Sequence, residues 1–189
     1  MLEWLRPRLY LNRASDLDLD QLWSMGIRGI ISDLDNTLVR WDASEAGLDL
    51  RHWLARLQKR GFKVCLVSNG RAARVAYFSA ALGVPGISRA RKPSRRAFRE
   101  GMSTLGTAPH QTAVLGDQLF TDVLGGNRLG LYTILVPPLA RREFLGTRLV
   151  RIVERLVLTR LRPSHSLPPG GVFPSGEARQ QESEDGWRN

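Results

Sequence analysis

The segment Gly29-Ile30-Ile31-Ser32-Asp33-Leu34-Asp35-Asn36-Thr37-Leu38 decides how the rest of the chain is read. A short apolar run ends in two aspartates one residue apart, followed by a small polar turn. A buried parallel strand that delivers acids to its carboxyl end has this appearance. Because side chains in extended backbone alternate, Asp33 and Asp35 are expected on the same side of the strand as it leaves the sheet. Carboxylates this close repel unless a cation lies between them or one keeps a proton. Mg²⁺ suits such a pair, since it takes only one or two protein carboxylates and leaves room for water and a phosphate oxygen. Taken alone, D-L-D is also consistent with a solvated turn, where Asp is common.

Working outward, strands and helices alternate. Asp16 to Met25 reads as a helix capped by Ser15 or Asp16 and closed by Gly26, leading into a strand at Arg28 to Ser32. Leu48 to Arg60 carries Leu50, Trp53, Leu54 and Leu57 at helical spacing and stops at Gly61; Phe62 to Val67 is the next strand. Helices follow over Arg71 to Leu82 and Ser94 to Leu105, with a very short strand at Val84-Pro85 between them. Strands at Thr112 to Leu115 and Leu131 to Val136 complete the pattern. Strand, helix and strand in this order require right-handed crossovers, hence an α/β fold with a parallel sheet flanked by helices.

The strand ends carry the other polar signals. Ser68-Asn69-Gly70 opens a helix, where hydroxyl and backbone N–H groups can either meet a phosphate or simply cap the helix. Lys92, in Arg89-Ala90-Arg91-Lys92-Pro93, is one of three lysines in an arginine-dominated chain, either with a specific role or in a solvated basic loop. Gly116-Asp117-Gln118-Leu119-Phe120-Thr121-Asp122 ends the next strand with two acids placed to face one cleft.

In this order, D-L-D-N-T-L, Ser68, Lys92-Pro93 and G-D-Q-L-F-T-D resemble the four motifs of the haloacid dehalogenase-like (HAD) phosphatases. The longer text G-D-Q-L-F-T-D-V-L-G-G-N-R-L-G, with A-R-K-P and S-D-L-D-N-T-L, resembles the bacterial YqeG type. That type is related to the mitochondrial phosphatidylglycerophosphatase, and the resemblance covers residues 1 to about 162. It implies a single HAD-like Rossmannoid domain, with Asp33 as nucleophile and Asp35 as general acid and base. Ser68, Asn69 and Lys92 would bind phosphate, and Asp33, Asp35 (through its carbonyl) and Asp117 would hold Mg²⁺. Thr37 and Asp122 would support them. The intervals from Thr37 to Leu48 and from Ser68 to Lys92 leave no room for a cap domain, which suits a large substrate such as a lipid phosphate.

Composition narrows the setting. The 189 residues suffice for one domain with a full core, at 42% hydrophobic content. No apolar run approaches a bilayer span, and no secretory signal opens the chain. The single cysteine, Cys65, lies in an apolar strand and reads as a buried thiol, so a cytoplasmic location is expected.

The net charge of +10 invites a polyanion. The flanks are compatible with peripheral contact to the inner face of an anionic membrane, and nucleic acid is disfavoured as a partner. Residues 1–15 read as an arm mixing Trp4, Leu5, Leu9, Tyr10 and Leu11 with Arg6, Arg8 and Arg13, able to lie at a lipid interface or, as is commoner, to fold over the protein's own surface. Residues 141–162 read as a basic amphipathic helix, with Arg148, Arg151, Arg155 and Arg162 along one stripe. It can dock on the sheet, lie on lipid, or do both in part. Residues 163–189, rich in Ser, Pro, Gly, Gln and Glu, are expected to be a disordered tail.

Overall fold

A computed structural model of the protein describes residues 2–140; the basic helix expected at 141–162 and the tail at 163–189 lie outside the described residues. Six strands, β1 (Leu9–Tyr10), β2 (Gly29–Ser32), β3 (Lys63–Val67), β4 (Gly86–Ile87), β5 (Thr112–Gly116) and β6 (Tyr132–Leu135), form one sheet. Their order is β1-β6-β5-β2-β3-β4, and every pair is parallel. Strands added on one side of β2 run to β4; the chain then crosses back and builds β5 and β6 on the other side. The reversal lies between β2 and β5, and open α/β sheets hold ligands outside the strand ends at such a point.

Both faces of the sheet are covered, which is why β2 reads as a continuous buried run. On one face Ile30 and Leu66 join Trp53, Leu54 and Leu57 of α2 (Leu48–Arg60) and Val75 and Phe78 of α3 (Ala72–Leu82). On the other, Ile31, Cys65 and Val114 join Ala97, Phe98, Met102 and Leu105 of α4 (Arg95–Leu105). Gly61 in left-handed conformation, φ 101°, closes α2 and turns the chain into β3. Among the described residues no second domain is inserted between β2 and α2 or between β3 and α4.

Two local expectations are corrected. The first helix, α1, runs only over Leu19–Ser24, and its cap is Asp18 rather than Ser15 or Asp16; the Asp18 carboxylate accepts from the Asp20 and Gln21 N–H groups. Leu17 is held extended and buried in the core, so the helix cannot begin before it. The short fourth strand lies at Gly86–Ile87, since Val84 N–H is still occupied with Ser79 C=O at the end of α3. Beyond Asp117 the chain makes a π-helical turn, Leu119–Val123, before the short α5 (Leu124–Asn127). Such turns widen a helix and recur at functional sites.

The amino-terminal segment supplies a strand that sequence periodicity did not mark. Leu9 and Tyr10 pair with Ile134 and Leu135 of β6. Asn127 holds the segment in place: its Nδ2 donates to the Trp4 and Arg6 carbonyls at 2.9 Å each, and its Oδ1 accepts from Thr133 Oγ1 at 2.8 Å.

Candidate active site

Four strand ends converge on one cleft. The Asp33 N–H donates to the Leu115 carbonyl at 2.9 Å, which places Asp33 one residue past β2 and beside the end of β5, where Asp117 follows Gly116. Carboxylate oxygens of Asp33, Asp117 and Asp122 lie within 4.8 Å of one another, and all three residues are buried. Thr37 Oγ1 donates to Asp117 Oδ1 at 3.1 Å across the switch point.

Lys92 reaches this cluster from the β4–α4 loop. Its ammonium lies 2.7 Å from Asp33 Oδ1 and 2.7 Å from Asp122 Oδ1, with 3% of the side chain exposed. The loop is pinned to the end of β3 by Ala90 N–H on Ser68 C=O, Arg89 N–H on Gly70 C=O and Lys92 N–H on Asn69 Oδ1. Arg89 and Arg91 both have positive φ, 48° and 53°. Non-glycine residues adopt that conformation only where the surroundings impose it. Asn69 therefore lines the cleft, but its amide group is engaged with the Lys92 backbone, accepting from N–H and donating to C=O at 3.4 Å.

Asp122 comes from the π-helical turn and folds back against Gly116. A Cβ added at Gly116 would stand 2.3 Å from Asp122 Cγ, so this strand end must be glycine for the second acid to enter. Asp122 Oδ2 accepts from Gln118 N–H at 3.2 Å and from Thr121 Oγ1 at 3.3 Å, while Oδ1 serves Lys92. Both its oxygens are thus taken within the protein. Asp122 braces the lysine, and with Asp33 and Asp117 it forms a group of carboxylates that could hold a metal ion.

The electrostatics agree with a cation site. Burial pushes the Asp33 carboxyl up to about 7, with Lys92 opposing and Asp122 and Asp117 reinforcing the rise. Burial alone would strip the proton from Lys92, but Asp122 and Asp33 reverse this and hold it charged. Three buried acids against one ammonium leave negative charge uncompensated, and a hard divalent ion would offset it with oxygen ligands. The donor set therefore fits Mg²⁺.

Asp35 stands apart from this cluster. It lines the same cleft as Asp33, Ser68, Asn69 and Lys92, but its Oδ1 accepts from Arg74 Nε at 2.7 Å. Arg74, one turn into α3, escaped the sequence reading because it belongs to none of the motifs; only helical spacing from Ser68-Asn69-Gly70 would have directed attention to it. Ser68 Oγ accepts from Gly70 N–H at 3.0 Å, closing a tight turn at the β3 end of the cleft. Asn36, Trp41, Gly70, Arg71 and Gln118 also line this cleft of about 590 Å³.

A parallel sheet with an acid pair and a buried lysine at its switch point is the arrangement of HAD-type hydrolases, and a family model described as HAD-hydrolase-like matches residues 89–138. The chain is 45% identical over 156 residues to "Probable phosphatase YqeG" of Bacillus subtilis (strain 168), covering 82% of this chain and 91% of that protein. It is 30% identical over 179 residues to phosphatidylglycerophosphate phosphatase 1, chloroplastic, of Chlamydomonas reinhardtii, covering 86% of this chain and 66% of the relative. Among solved structures, the cobalt-bound deoxy-D-mannose-octulosonate 8-phosphate phosphatase of Haemophilus influenzae aligns with a TM-score of 0.50 at 15% identity, over 72% of this chain and 90% of that one, a likeness of fold alone. The protein is a HAD-like phosphatase and belongs to the YqeG family.

Proposed function

We propose that the protein is a Mg²⁺-dependent phosphomonoesterase that works through an aspartyl phosphate on Asp33, with the lipid phosphatidylglycerophosphate as substrate. The observation that carries the chemistry is the buried contact of Lys92 with Asp33 beside Asp117, at the end of the cleft. Asp33, Asp117 and the Asp35 carbonyl would hold the ion, which when bound offsets phosphoryl charge as a Lewis acid. Lys92 and Ser68 hold the equatorial phosphoryl oxygens, and Asn69 keeps the Lys92 loop in register. Asp33 attacks phosphorus in line as the leaving oxygen takes a proton from Asp35. Water then attacks the aspartyl phosphate, giving its proton to Asp35 and returning Asp33. Thr37 and Asp122 fix Asp117 and Lys92.

The substrate reading rests on the relatives named for phosphatidylglycerophosphate and on the mouth of the cleft. With no cap among the described residues, the phosphate can be presented by something large. Trp41 and Leu139, 38% and 48% exposed, both donate backbone N–H groups to Asn36 beside the cleft, at 3.3 Å and 2.8 Å. A tryptophan in the lining, an exposed leucine bonded to Asn36 of that lining, Arg71 in the cleft and a net charge of +10 suit the surface of an anionic bilayer. No described helix is long and apolar enough to cross a membrane, and the contact we propose is peripheral. We place it on the cytoplasmic face.

The test is phosphate release from phosphatidylglycerophosphate in mixed micelles, beside soluble phosphomonoesters and an Asp33→Asn control. The lipid should be turned over with higher kcat/KM than any soluble ester. Equal or better rates on the soluble set would remove the lipid assignment and leave the reaction class standing.

A further inference from the structure

We infer that Arg74 is a positioning residue for proton transfer, setting the carboxylate of Asp35 so that one oxygen faces the reacting phosphate. The inference rests on the mechanism proposed above. Arg74 Nε donates to Asp35 Oδ1 at 2.7 Å, NH1 to the Ala43 carbonyl at 2.6 Å and NH2 to the Arg40 carbonyl at 2.9 Å. The guanidinium also lies 4.8 Å from the Phe78 ring centroid, on the core side of α3. A planar fork tied at three points and packed on a ring has little rotational freedom, and it transmits that rigidity to whatever it holds.

What it holds is only one oxygen of Asp35. The second, Oδ2, lies over Gly70: a Cβ built there would stand 3.0 Å from Asp35 Oδ2 and 3.1 Å from Ser68 Oγ. Oδ2 is thus directed toward the Ser68 side of the cleft, where the phosphoryl oxygens are proposed to sit, and the missing side chain of residue 70 leaves it room. A carboxylate on a loop would otherwise turn about its Cβ–Cγ bond and spend much of its time misdirected. Positioning of this kind is a large part of how a fixed group outperforms a free one.

In the first half-reaction the bond from Asp33 to phosphorus forms as the bond to the leaving oxygen breaks. That oxygen keeps the electron pair and takes the proton from Asp35 Oδ2. In the second, water oxygen bonds to phosphorus, its proton passes to Oδ2, and the pair of the breaking bond returns to Asp33. Both transfers use the oxygen that Arg74 leaves free.

This role predicts dependence on the leaving group. An alkoxide needs a proton as it departs, whereas nitrophenolate leaves without one. Wild type, Asp35→Asn, Arg74→Ala, Arg74→Gln and Arg74→Lys are compared on p-nitrophenyl phosphate and on the alkyl phosphomonoester that the wild type turns over fastest. The comparison is made in kcat/KM, which reads the steps through leaving-group departure and leaves out the later hydrolysis that both esters share: general-acid loss in Asp35→Asn should cost about 10²- to 10⁴-fold in kcat/KM on the alkyl ester and far less on the aryl ester. Arg74→Ala should lose at least about tenfold in kcat/KM on the alkyl ester, less than about threefold on the aryl ester, and regain part of the loss as Arg74→Lys. The aryl rate of each variant reports whether its site is intact, and Arg74→Gln reads the same ratio if Arg74→Ala does not fold. Equal losses on both esters in the Arg74 variants, with a selective loss in Asp35→Asn, would overturn the role of Arg74 and spare the mechanism. No selectivity in Asp35→Asn would overturn the assignment of Asp35 and this inference with it.

Discussion

Lys92 and Asp33, 59 residues apart in sequence, meet with 2.7 Å between Nζ and Oδ1 in a position where the lysine side chain is 3% exposed. Removing one partner from a buried pair leaves the other charge uncompensated, at a cost of about 3–5 kcal/mol. Here two acids, Asp33 and Asp122, would lose the same cation. Lys92→Met should therefore destabilise the metal-free protein by about that amount in urea unfolding and abolish phosphate release. A variant with wild-type stability would show that the lysine does not compensate these acids.

The raised Asp33 carboxyl gives a pH dependence with a definite sign. Its value is about 7 in the folded, metal-free protein against 3.8 unfolded, so the folded chain binds the proton more tightly. Stability from this group is full below the unfolded value and is lost as pH climbs through the folded one. In EDTA the Tm of the wild type should fall between about pH 4 and pH 7 relative to that of Asp33→Asn, whose curve lacks this component. Parallel curves would contradict the shift.

Adding Mg²⁺ should reverse that loss, since the ion takes the place of the proton. At about a hundredfold over its Kd, a ligand bound only by the native state adds about 2.7 kcal/mol. Near pH 8 Mg²⁺ should raise the Tm of the wild type and leave that of Asp117→Asn nearly unmoved. An equal rise in both would place the ion elsewhere.

Gly116→Ala isolates a purely steric requirement. The new Cβ would overlap Asp122, whose Cγ and Cβ lie 2.3 Å and 2.4 Å from the ideal position. Overpacking of this kind costs about 1–3 kcal/mol, and the displaced Asp122 should release Lys92. The expected result is a kcat loss of at least about tenfold with a modest drop in Tm, since positioning errors of about 1 Å are costly in a site. Unchanged kcat would mean that Asp122 need not fold against the strand end.

Cys65 is fully buried in β3, and burial pushes its thiol up to about 12, with Glu100 adding to the rise. Since the thiolate is the reactive form, the native protein should not react with Ellman's reagent near pH 8 and should yield one thiol after denaturation. Rapid labelling of the native protein would place Cys65 at a surface.

The α/β order and the strands that carry the motifs were legible because buried parallel strands announce themselves as apolar runs ending in polar turns. Asp33, Ser68 and Asp117 sit at those ends and Lys92 in the loop after β4, and they are named by the resemblance to the four HAD motifs, because Ser68 alone reads equally as a helix cap and Lys92 as a solvated loop residue. The first strand was not legible: Leu9–Tyr10 is too short for periodicity, and it is held by Asn127, whose side chain recognises backbone carbonyls that sequence does not mark. Arg74 was missed for a related reason, since two of its three partners are main-chain oxygens of a loop. The start of α1 was misplaced because Asp16 and Asp18 look equally able to cap, and only the burial of Leu17 separates them.

The most direct measurement asks where the phosphoryl group goes. Asp35→Asn protein, which should form the acyl phosphate on an aryl ester faster than it hydrolyses it, is incubated with p-nitrophenyl phosphate and Mg²⁺, quenched in acid and analysed by peptide mass spectrometry. A phosphoryl group on Asp33, absent from the Asp33→Asn, Asp35→Asn double variant, is the predicted result. Continued nitrophenol release with Asp33 unmodified at every quench time would contradict it.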